Sequence, residues 1–275
     1  MSSVGIAIGV LCAISAVCAA VLVIAAKYMD VPVDMTVEKI RDCLPGANCG
    51  ACGYAGCDNY ASELASGNEE KTNKCLPGGD KTAKAIAAVL GTEADDVIEH
   101  VAVVRCQGSC ENAIRKEEYQ GISSCAGANL LFGGSKMCTF ACLGYGDCAE
   151  VCPEHAIVIQ DGLARIDAHR CIGCGRCAET CPNHIIALVP DTVRTVVACS
   201  NTLSGAVVRP ACKVGCIGCK KCEKECPASA ITVENSLSKI DYGKCTNCGH
   251  CVEICPTKAI TEADRTSALN YSQAG

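Results

Sequence analysis

Twenty-eight cysteines stand in 275 residues, and their spacing defines the chemistry open to the chain. Four short phrases end alike: CAEVCPEHAI from Cys148, CAETCPNHII from Cys177, CEKECPASAI from Cys222 and CVEICPTKAI from Cys251. Each closes a cysteine run with Cys-Pro, and three of the four runs keep the full spacing C-x2-C-x2-C-x3-C-P. That pattern sets thiolates close enough along the backbone to grip a four-iron cubane, whose chemistry is one-electron transfer. The Cys-Pro cysteines fall at 152, 181, 226 and 255, giving gaps of 29, 45 and 29 residues. Equal gaps around a longer one describe two tandem units, each made of two half-repeats.

Two other uses of cysteine compete with this reading. A disulfide scaffold is as rich in cysteine, but it calls for an export route and dispersed spacings. Zinc ribbons also use C-x2-C pairs, but a zinc site has no need of three close cysteines and a remote fourth. Iron–sulfur clusters also account for the missing bulk. The chain has no tryptophan and only 3% aromatic residues, so inorganic cores would fill space that large side chains normally occupy.

In two-cluster ferredoxins the fourth cysteine of each run ligates the other run's cluster. The second unit then has one site at Cys216, Cys219, Cys222 and Cys255, and another at Cys245, Cys248, Cys251 and Cys226. In the first unit, Cys171, Cys174 and Cys177 pair with Cys152. The run CTFACLGYGDCAEVCP is irregular, and Cys138, Cys142 and Cys148 are assigned with Cys181. A further site has its own spacing, Cys49-x2-Cys52-x4-Cys57-x17-Cys75, within a glycine-rich segment whose backbone amides can approach cluster sulfurs. Cys43 is left over as a buried thiol. Five [4Fe-4S] clusters result. A sixth candidate set is Cys106, Cys110 and Cys125 with either Cys199 or Cys212.

These sites need elements to hold them. The stretch from Val4 to Ala26 is 23 residues of uncharged, apolar sequence. As a helix it would measure about 35 Å, long enough to cross a bilayer. No Lys or Arg precedes it, which argues against a cleaved signal peptide. Lys27, Lys39 and Arg41 follow it and place the bulk of the chain on the cytoplasmic side of a cell membrane, as a single-pass protein. Cys12 and Cys18, within the span, read as packing residues. Asp30 to Arg41 reads as a linker, Asn59 to Gly67 as a short helix, and Asp80 to Leu90 as a helix capped by Asp80, with another helix after Thr92. Short apolar strands follow the half-repeats, AIVI at Ala156 and AITV at Ala230, with returning strands LARID and LSKID after turns.

The expected fold class is therefore α+β. It comprises a transmembrane anchor (1–29), a four-cysteine domain (30–79), a helical linker (80–134), two two-cluster ferredoxin-like domains (135–195 and 196–265) and a polar tail (266–275). The net charge is −6, and each oxidised cubane with four thiolates adds about −2, so nucleic acid is not an expected partner. No G-x-G-x-x-G stands at a strand–helix junction, and GGDKT and GGSK lack phosphate-loop spacing. The five histidines are scattered, with His155 and His184 in loops after Cys-Pro. No catalytic residue is assigned. Lys220, Lys221 and Lys224 are the local basic cluster beside a metal run. They read as a solvated patch or as a docking site for an acidic ferredoxin.

Taken together, the apolar N-terminal span, the CGACGYAGC site and the tandem eight-cysteine units resemble the B subunit of the Rnf complex. The resemblance covers nearly the whole chain. It implies an iron–sulfur electron-transfer subunit of a membrane-bound ferredoxin:NAD oxidoreductase, a translocase coupling electron flow to transport of Na⁺ or H⁺. It further implies soluble ferredoxin as electron donor, and flavin-bearing and multi-span subunits as partners. Alternatives are a polyferredoxin arm of another dehydrogenase or hydrogenase complex, and a membrane-tethered redox sensor, for which the tail after Ile260 is too short to supply an output module.

Overall fold

The computed structural model describes residues 2–28, 35–94, 96–131 and 133–263. Helix α1 (Ser2–Tyr28) comes first. Many of its described side chains, among them Ile8, Ile14, Val17 and Val21 to Ile24, are exposed, as are Cys12 and Cys18. Over the described residues, no helix is long and apolar enough to cross a membrane. The tail at 266–275 lies outside the described residues.

The expected linker is partly helical. α2 (Met35–Cys43) buries Ile40 against α3 (Cys57–Ala65) and α4 (Gly79–Leu90), whose inward residues include Tyr60, Leu64 and Ile86. These spacings follow the helical repeat of three to four residues, so each short helix turns one apolar stripe inward. Asp80 is not the N-cap of α4. It lies in the first turn, where its negative charge suits the helix dipole, and Gly78 holds the cap position. Gly91 ends the helix at φ 71°, left-handed, and the Thr92 N–H closes on the Ala87 carbonyl. The helix expected after Thr92 does not form. That segment leads instead into strand β1 (His100–Val104). A single threonine cap signal was outweighed by the pairing available to the β-branched residues of HVAVV.

β1 runs antiparallel to β4 (Ile186–Pro190), with Val104 opposite Ile186. Between them lie α5 (Cys125–Leu130), α6 (Asp147–Glu150), the hairpin β2 (Ile157–Gln160) and β3 (Leu163–Ile166), and α7 (Arg176–Thr180). The second unit repeats this plan. β5 (Thr195–Val197) pairs with β8 (Ile260–Glu262), enclosing α8 (Gly205–Ala211), α9 (Lys221–Lys224), the hairpin β6 (Ile231–Glu234) and β7 (Leu237–Ile240), and α10 (His250–Ile254). Each unit is thus an outer pair of strands and an inner hairpin, with short helices carrying cysteines. The segment expected to be a helical linker donates the first strand of the first unit.

The two units superpose in sequence as well. From Cys138 onward, a constant shift of 74 residues carries every cysteine of the first unit onto a cysteine of the second, including Cys152 onto Cys226 and Cys181 onto Cys255. Gly144 and Gly218 correspond, at φ +79° and +64°. A Cβ on Gly144 would come within 2.6 Å of the Gly162 carbonyl, and one on Gly218 within 2.8 Å of Ser236 Cα. Only glycine fits where the cysteine loop presses on the hairpin turn.

Candidate metal centres

Six groups of cysteines gather around cavities or within shared cores. In the N-terminal domain, Cys49, Cys52, Cys57 and Cys75 line one cavity, together with Tyr60. Asn48 fixes the loop, its Oδ1 accepting the Cys57 N–H at 2.8 Å. Burial, and after it the surrounding Cys57, Cys49 and Cys52, push the Cys75 thiol up to about 11, against a Gly78 backbone hydrogen bond that favours the thiolate. Cys43 stays outside this cavity and donates to the Lys39 carbonyl.

Cys152, Cys171, Cys174 and Cys177 line a second cavity. The Ala156 N–H donates to Cys152 Sγ at 3.3 Å, and the Ala102 N–H to Cys171 Sγ at 3.4 Å. Such amide-to-sulfur bonds stabilise negative charge on ligating sulfur and tune a cluster's potential. In the second unit, burial and then Cys216, Cys219 and Cys255 push Cys222 up to about 11. Burial and then Cys245, Cys248 and Cys226 do the same to Cys251. Cys255 is thus a neighbour of Cys222, and Cys226 of Cys251, as an exchange of fourth cysteines requires. The Ala230 N–H donates to Cys226 Sγ at 3.4 Å, as Ala156 does to Cys152.

The irregular run is where sequence and structure differ. Cys142, Cys148 and Cys181 line a third cavity, but the fourth cysteine there is Cys125, not Cys138. Burial first, and then Cys142, Cys125, Cys177 and Cys181, push Cys148 up to about 12. Cys125 begins α5, capped by Ser124, whose hydroxyl accepts the Gly127 N–H. Asp147 ties this helix end to α6, accepting the Cys125 and Ala126 N–H groups at 2.7 and 3.0 Å. Burial opposes ionisation of Asp147, yet those two amides hold its carboxyl below the ordinary range. The spacing explains the exchange. Under the 74-residue shift, Tyr145 occupies the position of Cys219, so the first unit lacks its middle ligand and takes a thiol from elsewhere.

Cys138 lies instead in a separate cavity, with Cys106, Cys199 and Cys212. The sixth set expected from sequence is therefore divided: Cys106 is here, Cys125 is one cavity away, and Cys110 is exposed near Arg115. Lys220, Lys221 and Lys224 are exposed beside Cys219, and Lys220 lies 3.8 Å from Glu223.

Among the described residues, no group of three or more histidines, cysteines or carboxylates is arranged to hold a single metal ion. This is as true of the regular ferredoxin runs as of the other groups. A cubane spreads its thiolates over four corners, farther apart than the sulfur–sulfur edge of roughly 3.8 Å around one zinc. The donor set suits such a cluster: thiols grouped in fours, with backbone amides aimed at sulfur. Thiols pushed up to 11 or 12 stay protonated until iron replaces the proton.

Comparison with known proteins finds iron–sulfur families over three stretches of the chain. Residues 44–77 match a family model described as a putative Fe-S cluster, residues 138–191 an LdpA Fe-S cluster-binding domain, and residues 215–261 a 4Fe-4S dicluster domain. The chain is 44% identical over 225 residues to the B subunit of the Na(+)-translocating ferredoxin:NAD(+) oxidoreductase complex of Acetobacterium woodii, covering 82% of this chain and 67% of that one. It is 44% identical over 220 residues to the B subunit of the proton-translocating ferredoxin:NAD(+) oxidoreductase complex of Clostridium ljungdahlii, covering 80% and 78%. With the B subunit of the ion-translocating oxidoreductase complex of Methanosarcina acetivorans it shares 40% identity over 247 residues, covering 89% and 93%. Iron–sulfur domains run along the same stretch that these relatives match, and the chain belongs to the family of B subunits of ion-translocating ferredoxin:NAD(+) oxidoreductase complexes.

Proposed function

We propose that this chain relays single electrons through a membrane-bound ferredoxin:NAD oxidoreductase complex whose electron flow drives translocation of Na⁺ or H⁺. The observation that carries the reading is the convergence of cysteines, four at a time, around shared pockets in a chain that matches most of the length of its relatives. When bound, each [4Fe-4S] cluster supplies a one-electron couple. The residues do the rest. Cys49, Cys52, Cys57 and Cys75 hold the N-terminal cluster. Cys125, Cys142, Cys148 and Cys181, with Cys152, Cys171, Cys174 and Cys177, hold the pair in the first unit. Cys216, Cys219, Cys222 and Cys255, with Cys245, Cys248, Cys251 and Cys226, hold the pair in the second. Amides aimed at sulfur set the potentials, and the apolar cores of both units pack around the centres.

Val4 to Ala26 anchors the subunit in the cytoplasmic membrane, with its exposed apolar faces turned to lipid or to multi-span partner subunits, and the cluster domains face the cytoplasm. No dinucleotide-binding motif is present in the sequence, so nicotinamide and flavin chemistry belongs to partner subunits. Soluble ferredoxin docks beside the exposed Cys219, where Lys220, Lys221 and Lys224 attract its acidic surface. The test is oxidation of reduced ferredoxin by the intact complex. Reversing the three lysine charges to Glu should raise the apparent KM for ferredoxin about tenfold at low salt, with the difference shrinking as salt screens the charges. An unchanged KM would remove this docking site. Failure of the purified full-length chain to bind iron would remove the relay itself.

A further inference from the structure

Cys106, Cys138, Cys199 and Cys212 share a cavity that belongs to neither unit alone. Unit one contributes Cys106 and Cys138, and unit two contributes Cys199 and Cys212. The pairs are equivalent. Cys106 follows the last residue of β1 by two positions, and Cys199 follows the last residue of β5 by two, in the matching phrases VVRC and VVAC. Cys138 stands four residues before Cys142, and Cys212 four before Cys216. The hydrogen bonds repeat as well: the Cys142 N–H donates to Cys106 Sγ at 3.4 Å, and the Cys216 N–H to Cys199 Sγ at 3.3 Å. A local two-fold relation therefore aims four thiols at one space.

That space has the features of the other centres. Amides reach its sulfurs, with the Gly108 N–H on Cys106 and Asn201 Nδ2 on Cys138, both at 3.3 Å. Its walls are fixed across the two units: the Ile114 N–H donates to the Ala211 carbonyl, the Lys213 N–H to the Asn112 carbonyl, and the Ser200 hydroxyl to the Arg105 carbonyl. Nearby, the ammonium of Lys136 is buried, donating to the carbonyls of Gly108, Cys142 and Gly162 at 2.6 to 2.8 Å. Among the described residues, no carboxylate forms an ion pair with it. A buried cation needs compensating negative charge, and anionic metal–thiolate centres on either side would supply it.

We propose that these four cysteines hold a sixth [4Fe-4S] cluster at the junction of the two units, and that it joins their cluster pairs into one continuous wire. This rests on the relay reading above and extends it. None of Cys106, Cys199 and Cys212 lies in a segment matched by an iron–sulfur family model. The order follows from the contacts. Cys49 of the N-terminal centre lies near Cys174 of the first unit. That centre is paired with the one at Cys142, which touches the junction through Cys106, and the junction touches Cys216 through Cys199. The sequence of centres is N-terminal, Cys171, Cys142, junction, Cys216, Cys245. In each hop the junction cluster goes from its 2+ to its 1+ core as the donor cluster is reoxidised by one electron. It then passes that electron on, and no proton is needed.

The full-length chain, purified without air, is assayed for iron, sulfide and zinc, beside Cys199→Ser/Cys212→Ser and the control Cys110→Ser. Six cubanes give about 24 irons and as many sulfides in the parent and the control, and about 20 in the double variant. Reductive titration of the parent, which depends on no variant folding, should take up six electrons per chain. About 20 irons and five electrons in the parent, or one zinc lost from the double variant in place of four irons, would overturn the proposal while leaving the five-cluster relay standing. A parent without iron would overturn both.

Discussion

The two ferredoxin-like units solve one problem with different parts. In unit two, the first centre takes Cys216, Cys219 and Cys222 from one tight loop. Unit one keeps the outer positions of that loop as Cys142 and Cys148, but Tyr145 replaces the middle cysteine. Its ring meets Tyr119 edge-on, centroids 5.5 Å apart, and Cys125 enters the cavity beside them. Strand pairing shows where the substitute came from. Val104 and Val197 are equivalent by register but lie 93 residues apart, whereas everything after Cys138 is shifted by 74, so unit one carries 19 extra residues between Cys106 and Cys138. Cys125 and Tyr119 both lie in this longer segment. A ligand position is thus defined by where a sulfur sits in space, and the chain can reach it from a distant loop when a local residue is lost.

The sharpest way to break this comparison is to remove the substitute. Cys125→Ser should cost unit one a single cluster, about four irons, and Cys125→Ser/Tyr145→Cys should regain it by restoring the regular loop. Iron content and the electron paramagnetic resonance of the reduced chain would check both. If Cys125→Ser retains all its iron, the assignment of Cys125 fails. A smaller effect is expected from Asp147→Ala, which removes the acceptor for the Cys125 and Ala126 amides. Leaving those donors unpaired costs about 1–3 kcal/mol. The Cys125 centre should then bleach faster in air than the one at Cys216, and equal rates would show that the tether is not needed. The smallest change concerns the hairpins. Ser238 places its hydroxyl 3.8 Å from Cys216 Sγ, and the equivalent residue in unit one is Ala164. A hydrogen bond of about 1 kcal/mol corresponds to roughly 40 mV for one electron. Ser238→Ala should lower the potential of the Cys216 centre by about that amount, and Ala164→Ser should raise its counterpart.

The same contrast explains what could be read from sequence. Ligands within a Cys-Pro run are held by bonds a few residues long, so Cys171, Cys174 and Cys177, or Cys245, Cys248 and Cys251, announce themselves by spacing. The inner hairpins were equally legible, because turn residues separate their apolar strands. Cys125 was not, since nothing constrains the length of the segment that delivers it. Cys106 and Cys199 depend on strand ends brought together by pairing with β4 and β8, a tertiary event without a fixed interval. Their signal was nevertheless present, as the shared V-V-x-C phrases and the C-x3-C steps at Cys138 and Cys212. The helix expected after Thr92 failed for a related reason, because the partner that makes β1 a strand lies more than eighty residues downstream.

The exchange of fourth cysteines also governs how the molecule fails. In the proposed relay, Cys181 and Cys152, like Cys255 and Cys226, each brace a neighbour's metal core, so corrosion of one core would loosen the loop that grips the next without dismantling it. The N-terminal centre draws all four sulfurs from its own small domain, and it should rust alone.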